Sequence, residues 1–490
     1  MNEEIAEYYE ELYRLYIDEN QPLERRYRQL RESLERVVRE RIQGNSLQTT
    51  DLAARINYVA TQYELDIKEQ NQLHTFRLTS NDILNHRKFP AKEEFLRDLR
   101  AVAFAYRKMF AQDIPLKLFS VLPKQEITSL GKKEKKEYIR RIRVCFDYAD
   151  DTYLYVHPVD IIADEPIRVV YNKPGINHEF EETIKELWRY AQLNLLDVFV
   201  DREGIYTPSF IVLEPDYLID ISSLAECYKD YGSHPANYFL SRLVPIDNAR
   251  PLLLGNIANL FLDEWIHAGE EEPDYIDCMK KAFRQYPIEL AACAELRDPS
   301  KEKEFAKDCR MHFEHIRDIV QHTFLEPGYN LDKKDAVLEP SYICEALGIQ
   351  GRLDYMQRDM SSFIEMKSGK ADEFSIQGKV EPKENNKVQM LLYMAVLEYS
   401  MGQDRRRMHP YLLYTRYPLL YPARASWAQV RRVINLRNRI VAAEYGVQFH
   451  NHSDFTRNLL AQINPEVMNE RKLAWKILGT VSEAFYLTFP

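Results

Sequence analysis

At 490 residues, 45% hydrophobic and 29% charged, the chain has an ordinary globular composition and the length for two to four domains. A formal net charge of −10 excludes a chain that is basic throughout, so a nucleic-acid partner would have to meet a local basic surface. The six cysteines (Cys145, Cys227, Cys278, Cys293, Cys309 and Cys344) contain no CxxC pair, which excludes a zinc ribbon and suits a reducing compartment better than a disulfide framework. The start, MNEEIAEYYEELYRLY, lacks the basic and apolar regions of a secretory signal, and no run approaches 18 apolar residues. The expectation is a cytoplasmic chain with no membrane partner.

Residues 1–117 are charge-rich, with apolar residues recurring at three and four as in LERRYRQLRESLERVVRERI (23–42), and read as a helical region. From 118 to 216 the period shortens toward alternation in FSVL, YIRRIRVCFDY, TYLYVHPV, IRVVY, LNLLDVFV and PSFIVLEP. Short strands parted by turn residues predict a small β-barrel-like domain, either a plain structural barrel or one of the oligonucleotide-binding type. The run KKEKKEYIRRIR (132–143) would lend it positive charge. Residues 217–445 mix helix and strand, with a helical insertion around 271–330, strands over 338–370, a helix over 386–400, a strand at MHPYLLYTRYP (408–418) and a helix at WAQVRRVINLRNRIVAAEY (427–445). Residues 446–490 read as a C-terminal helical segment. The expected fold class is therefore mixed, α+β and α/β.

The chemistry gathers in GRLDYMQRDMSSFIEMKSGKADEF (351–374). Side chains alternate along a strand, so Phe363, Glu365 and Lys367 share one face. A hairpin would bring Asp354 into the same volume. Charges in a buried strand are costly unless paired or bound to a metal, and both readings fit the spacing: an ion-paired hairpin, or two carboxylates holding a hard cation such as Mg²⁺. A cation-bound water with a lysine beside it is the minimum equipment for hydrolysing a phosphodiester. Gly351 precedes the aspartate as G-x-x-D, and KSGK (367–370) follows. On the helix VQMLLYMAVLEY (388–399), Gln389 and Tyr393 stand four apart at the edge of an apolar stripe, placed to touch a nucleic-acid strand.

Together, G-x-x-D, E-x-K and Q-x-x-x-Y in this order resemble the RecB-like exonuclease family of the PD-(D/E)XK nuclease superfamily. VLEPDYLIDISSLAEC (212–227), PLLLGNIANLFLDEW (251–265), LEPSYICEALGIQGRLDYM (338–356) and INLRNRIVAAEY (434–445) look like the nuclease half of replication helicase–nucleases that trim DNA flaps. The resemblance implies a PD-(D/E)XK core, a central mixed sheet flanked by helices, over 217–445. It implies Mg²⁺ or Mn²⁺ held by Asp354, Glu365 and the backbone carbonyl of Met366, with Lys367 catalytic. Gln389, Tyr393 and Lys370 would meet single-stranded or flapped DNA, and a helicase domain or subunit would be the partner, following the C-terminal segment.

Two departures qualify this. Asn259 stands where the family carries a metal-binding histidine, a weaker ligand, and His267 eight residues on is a surface residue by its surroundings. Relatives with an iron–sulfur cluster use three cysteines after the Q-x-x-x-Y helix; none follows Cys344 here, so no cluster is expected. Asn259 also supports a rival reading, a degenerate nuclease fold kept as a DNA-binding or helicase-docking module. Elsewhere, His312, His315 and His322 with Cys309 read as a solvated histidine-rich face rather than a zinc site. The lysines at 367, 370, 379, 383 and 387, and DRRRMH (404–409), are phosphate-contact candidates. Without a G-x-x-x-x-G-K-[ST] run the chain is not itself an ATP-driven helicase.

Overall fold

A computed structural model describes residues 3–42, 51–123, 138–160, 163, 165–229, 232–243, 250–329, 331–374, 379–423, 426–449, 466, 470–476 and 479. The basic run 132–137, the apolar end 480–490 and most of the expected C-terminal segment lie outside these residues. The fold is mixed α/β, with several separate sheets. Among the described residues no helix is long and apolar enough to cross a membrane. The chain divides into two compact units, Met1–Glu214 with Val441–His452, and Pro215–Ile440 with Ser453–Pro490.

The first unit opens with five long helices: α1 (Glu3–Ile17), α2 (Leu23–Ile42), α3 (Leu52–Gln62), α4 (Ile67–Leu84) and α5 (Lys92–Phe110). Their apolar stripes do what the periodicity requires. In α2, Tyr27, Leu30, Leu34, Val37 and Val38 are buried, with arginines and glutamates between them. Asp66 and Glu69 close a reciprocal capping box that starts α4. The strands that follow are β1 (Tyr138–Ala149), β2 (Tyr153–Pro158), β3 (Ile167–Val170), β4 (Gln192–Val200), β5 (Tyr206–Thr207) and β6 (Phe210–Leu213). β1 pairs with both β2 and β4, β2 with β3, β3 with β5 in parallel, and β4 with β5 and β6. Cys145 and Tyr190 pack into the helices' core, so helical region and sheet, separate regions on the sequence, share one hydrophobic cluster.

The second unit is built on a five-stranded sheet. Two long helices precede it, α6 (Arg250–His267) and α7 (Pro299–Gln321). Then come β7 (Ala336–Leu338), β8 (Ser341–Cys344), β9 (Ile349–Arg352), β10 (Tyr355–Gln357), β11 (Ser362–Lys367), α8 (Glu384–Met401), β12 (His409–Tyr414), β13 (Leu419–Pro422) and α9 (Trp427–Phe449). The main sheet runs β7-β10-β11-β12-β13. β10 and β11 form an antiparallel hairpin, whereas β11 and β12 lie parallel and are joined by a crossover through α8. β8 and β9 pair separately, with Ile219–Asp220 added in parallel to β9.

Side-chain alternation on β11 sorts its residues between layers. Ile364 and Met366 join the cluster made by α6 and α7, together with Tyr355, Tyr411 and Leu413. Phe363, Glu365 and Lys367 face the other way. Every residue of α8 from Val388 to Leu397 is buried, so the helix is enclosed rather than amphipathic with an exposed edge. One peg ties distant parts of the unit together. Arg437 on α9 is fully buried, and its guanidinium donates to the carbonyl oxygens of Gly348, at 3.1 Å, and Tyr217.

Candidate active site

The β10–β11 hairpin sets the first pair. Its register, Tyr355 opposite Ile364, puts Asp354 beside Glu365, and the Met366 N–H donates to Asp354 Oδ2 at 2.6 Å. Lys367, one alternation beyond Glu365, donates from Nζ to Glu365 Oε1 at 2.9 Å. The crossover then lays α8 over the same face. Lys367 Nζ also donates to Gln389 Oε1 at 2.8 Å, and Gln389 Nε2 donates to Glu365 Oε1 at 2.5 Å and to Ser222 Oγ at 3.3 Å. Asp354, Glu365, Lys367 and Gln389 thus meet at the carboxyl end of β11. Lys370 is exposed on the bend three residues further.

Gln389 and Tyr393 were expected to project toward a strand; the geometry gives them another task. Gln389 is buried and spent on holding Glu365 and Lys367. Tyr393 is 0% exposed, and its hydroxyl donates to the Arg352 carbonyl at 2.5 Å. Its ring also explains Gly351: a Cβ there would lie 3.1 Å from Tyr393 Cε1 and 3.0 Å from Ile221 Cδ1. The G-x-x-D glycine therefore marks the approach of the Q-x-x-x-Y helix to β9, not a special turn.

Electrostatically the site is strained. Burial, followed by the charge of Asp354, pushes the Glu365 carboxyl up to about 8. Burial likewise raises Asp354, against the Met366 N–H and Lys367 that pull it down. Burial disfavours the Lys367 ammonium, but the charges of Glu365 and Asp354 and the hydrogen bond to Glu365 outweigh it, so Lys367 stays protonated. Glu365 is 4% exposed, and its Oε2 has no hydrogen-bond partner among the described residues. A buried carboxylate oxygen without a partner is costly, and a proton or a hard cation would each relieve it. The carboxylates of Asp354 and Glu365 offer oxygen ligands, the donor type Mg²⁺ or Mn²⁺ prefers. Among the described residues no group of three His, Cys, Asp or Glu side chains forms a ready-made metal cluster.

Two acidic residues escaped the sequence reading. Glu339, in the left-handed region at φ 50°, donates its N–H to the Asp354 carbonyl at 3.1 Å, and its carboxylate meets Arg352 at 3.2 Å. Asp263 stands one helical turn after Asn259 on α6. Glutamate before proline at the end of a strand, and an acid four residues after the doubtful ligand, were the available signals. No model of a known protein family matches the chain, and no curated protein matches it.

The other sequence candidates sit apart from this constellation. His312, read as part of a solvated face, is fully buried, because it lies on the side of α7 that packs inward. Burial holds it down at about 4. His315 Nδ1 lies 2.9 Å from the Thr415 carbonyl, and His322 caps the helix end. Cys227 is buried, its thiol donating to the Ser223 carbonyl at 3.3 Å. Arg405–Arg407 form an exposed turn whose Arg405 lies over the Trp427 ring.

Proposed function

We propose that the chain is a divalent-metal-dependent deoxyribonuclease of the PD-(D/E)XK type, acting on single-stranded or flapped DNA. The observation that carries this reading is the convergence of Asp354, Glu365 and Lys367 at one strand end, with a buried Glu365 oxygen that has no partner among the described residues. The hairpin followed by a helical crossover to a parallel strand, β10-β11-α8-β12, supports the superfamily core. The pairing circuit β1-β2-β3-β5-β4-β1 supports a small barrel of the oligonucleotide-binding type. Free, buried cysteines fit a cytoplasmic protein, and the resemblance alone suggests a helicase partner.

On this reading Asp354, Glu365 and the Met366 carbonyl would hold Mg²⁺ or Mn²⁺, and the bound ion would supply an activated water and a counter-charge for the phosphate. Lys367 spends two of its three N–H donors on Glu365 and Gln389, leaving the third for a water or a phosphate oxygen. Gln389 fixes the direction of that donor, and Tyr393 fixes the backbone two residues before Asp354. Lys370, exposed beside them, would steady the DNA backbone.

A second reading, a degenerate module that binds DNA or docks a helicase, has Asn259 in its favour. End-labelled single-stranded DNA, incubated with the chain or its Lys367→Ala variant in Mg²⁺, Mn²⁺ or EDTA, separates them. The nuclease reading expects cleavage that needs the cation and vanishes in the variant. DNA binding without cleavage under every condition would favour the module.

A further inference from the structure

The hydrogen-bonded constellation has a member that none of the three motifs contains. Ser222 lies on the short helix Ile221–Ala225, which Asp220 starts by accepting from the Ser223 N–H at 3.1 Å. The helix is fixed from two sides. Asp220 pairs with Gln350 of β9, and Ile221 packs against Gly351. Two side-chain bonds then tie it to α8: Gln389 Nε2 donates to Ser222 Oγ at 3.3 Å, and Asn385 Nδ2 donates to Glu226 Oε1 at 2.9 Å. Positions 222 and 226 meet 389 and 385 in reverse order, so the short helix lies antiparallel beside the first turns of α8.

The protons left over at the site are the informative ones. The buried Gln389 amide has one partner or more at each end. Its Oε1 accepts from Lys367 Nζ at 2.8 Å, while its Nε2 donates to Glu365 and to Ser222. Lys367 keeps a third N–H, and Ser222, which only accepts from Gln389, keeps its own O–H. Among the described residues neither proton meets an acceptor. Ser222 is exposed, whereas Glu365 and Gln389 are buried, so its hydroxyl stands where the site opens to water. Two unspent donors thus hang from the two ends of one amide, and such a pair suits the oxygens of a single phosphate.

Charge decides when an anion can enter. Asp354 and Glu365, when ionised, outnumber Lys367 by one charge. Glu226 adds little, because its carboxylate is already bonded to Lys229 at 2.8 Å and to Asn385. A divalent cation on the carboxylates reverses the sign and admits a phosphate. We infer that Ser222 and Lys367 form a phosphate subsite, in which Ser222 Oγ and Lys367 Nζ donate to non-bridging oxygens of one DNA backbone phosphate. This rests on the nuclease reading for the identity of the ligand.

The test is steady-state cleavage of end-labelled single-stranded DNA in Mg²⁺ by the full chain, Ser222→Ala and Ser222→Thr. Ser222 is exposed, so both variants should melt with wild type. Losing one hydrogen bond to a charged phosphate should raise KM about tenfold in Ser222→Ala, with kcat changed by less than about threefold. The salt dependence of KM should stay that of wild type, because no charge is lost. Ser222→Thr keeps the hydroxyl and should keep the wild-type KM. A fall in kcat at unchanged KM would mean that Ser222 only positions Gln389; that result overturns the subsite and leaves the nuclease reading intact. Wild-type kinetics in Ser222→Ala, or equal defects in the two variants, would overturn it as well. If wild type cleaves nothing, the nuclease reading falls, and fluorescence anisotropy of the uncleaved oligonucleotide in Mg²⁺ decides the subsite. It stands if Ser222→Ala binds about tenfold more weakly than wild type. It falls if the two bind alike or not at all.

Discussion

Gly351→Ala offers the sharpest test of how the site is held. The added Cβ would meet Ile221 Cδ1 at 3.0 Å, Tyr393 Cε1 at 3.1 Å and Ile221 Cβ at 3.2 Å. Neither neighbour yields easily: both are fully buried, and the Tyr393 ring is pinned through its hydroxyl to the Arg352 carbonyl. Overpacking of this kind costs about 1–3 kcal/mol, and with two immovable partners we expect about 2 kcal/mol. Ile221→Val removes the nearest atom, Cδ1, and should cost about 0.5–1.5 kcal/mol alone. Because it also clears space for the new methyl, the double variant should be more stable than the sum of the singles by about 1 kcal/mol. Urea unfolding followed by the fluorescence of buried Trp265, in the same unit, measures all four corners of the cycle. Additive costs within about 0.3 kcal/mol would refute the packing argument, because contacting residues are expected to couple more strongly than that. So would a neutral Gly351→Ala.

Other outcomes follow from the same geometry. Gln389→Leu removes the amide that joins Lys367 to Glu365, two hydrogen bonds to charged groups; it should destabilise the unit by about 2–4 kcal/mol and cut DNA cleavage at least a hundredfold. Unchanged cleavage in a folded variant would remove Gln389 from the site. In EDTA, the raised carboxyl of Glu365 means the native state holds its proton up to about 8, whereas the unfolded chain releases it near 4.5. Stability should therefore fall as pH rises through that window, and Glu365→Gln should flatten the fall; a parallel pair of melting curves at pH 5 and pH 9 would contradict this. Asp98, buried against Tyr27 and Arg97 and pushed up to about 6, should act in the same sense in the first unit, so Asp98→Asn should lose less stability than wild type between pH 4 and 7. Lys370→Ala should weaken DNA binding modestly and reduce its salt slope by about one, as expected for a single phosphate contact.

The sequence carried the helical start, the run of short strands after it and the mixed second half, because period and turn residues are local signals. Asp354, Glu365 and Lys367 could be grouped before any coordinates, since alternation fixes two of them and a hairpin the third. The tasks of Gln389 and Tyr393 could not be read this way. Which side of α8 is solvent depends on how many layers cover it, and α8 is enclosed throughout its middle. Glu339 was hidden for a related reason: only the pairing of β7 with β10 brings its backbone onto Asp354. His312 shows the opposite error, since a polar residue on the inward side of a helix looks solvated until the neighbouring sheet is in place.

The Arg437 peg sets a timetable for biosynthesis. Every residue of the constellation has been translated by Gln389, yet the carbonyls of Gly348 and Tyr217 find their guanidinium only from α9. At about 5–20 residues per second, the ribosome needs roughly another 2–10 s to reach residue 437. During that interval the last two strands of the sheet, β12 and β13, are made, and the unit stays unclamped. A chain halted before α9 would carry all of the proposed catalytic side chains and still lack the bolt that closes their unit.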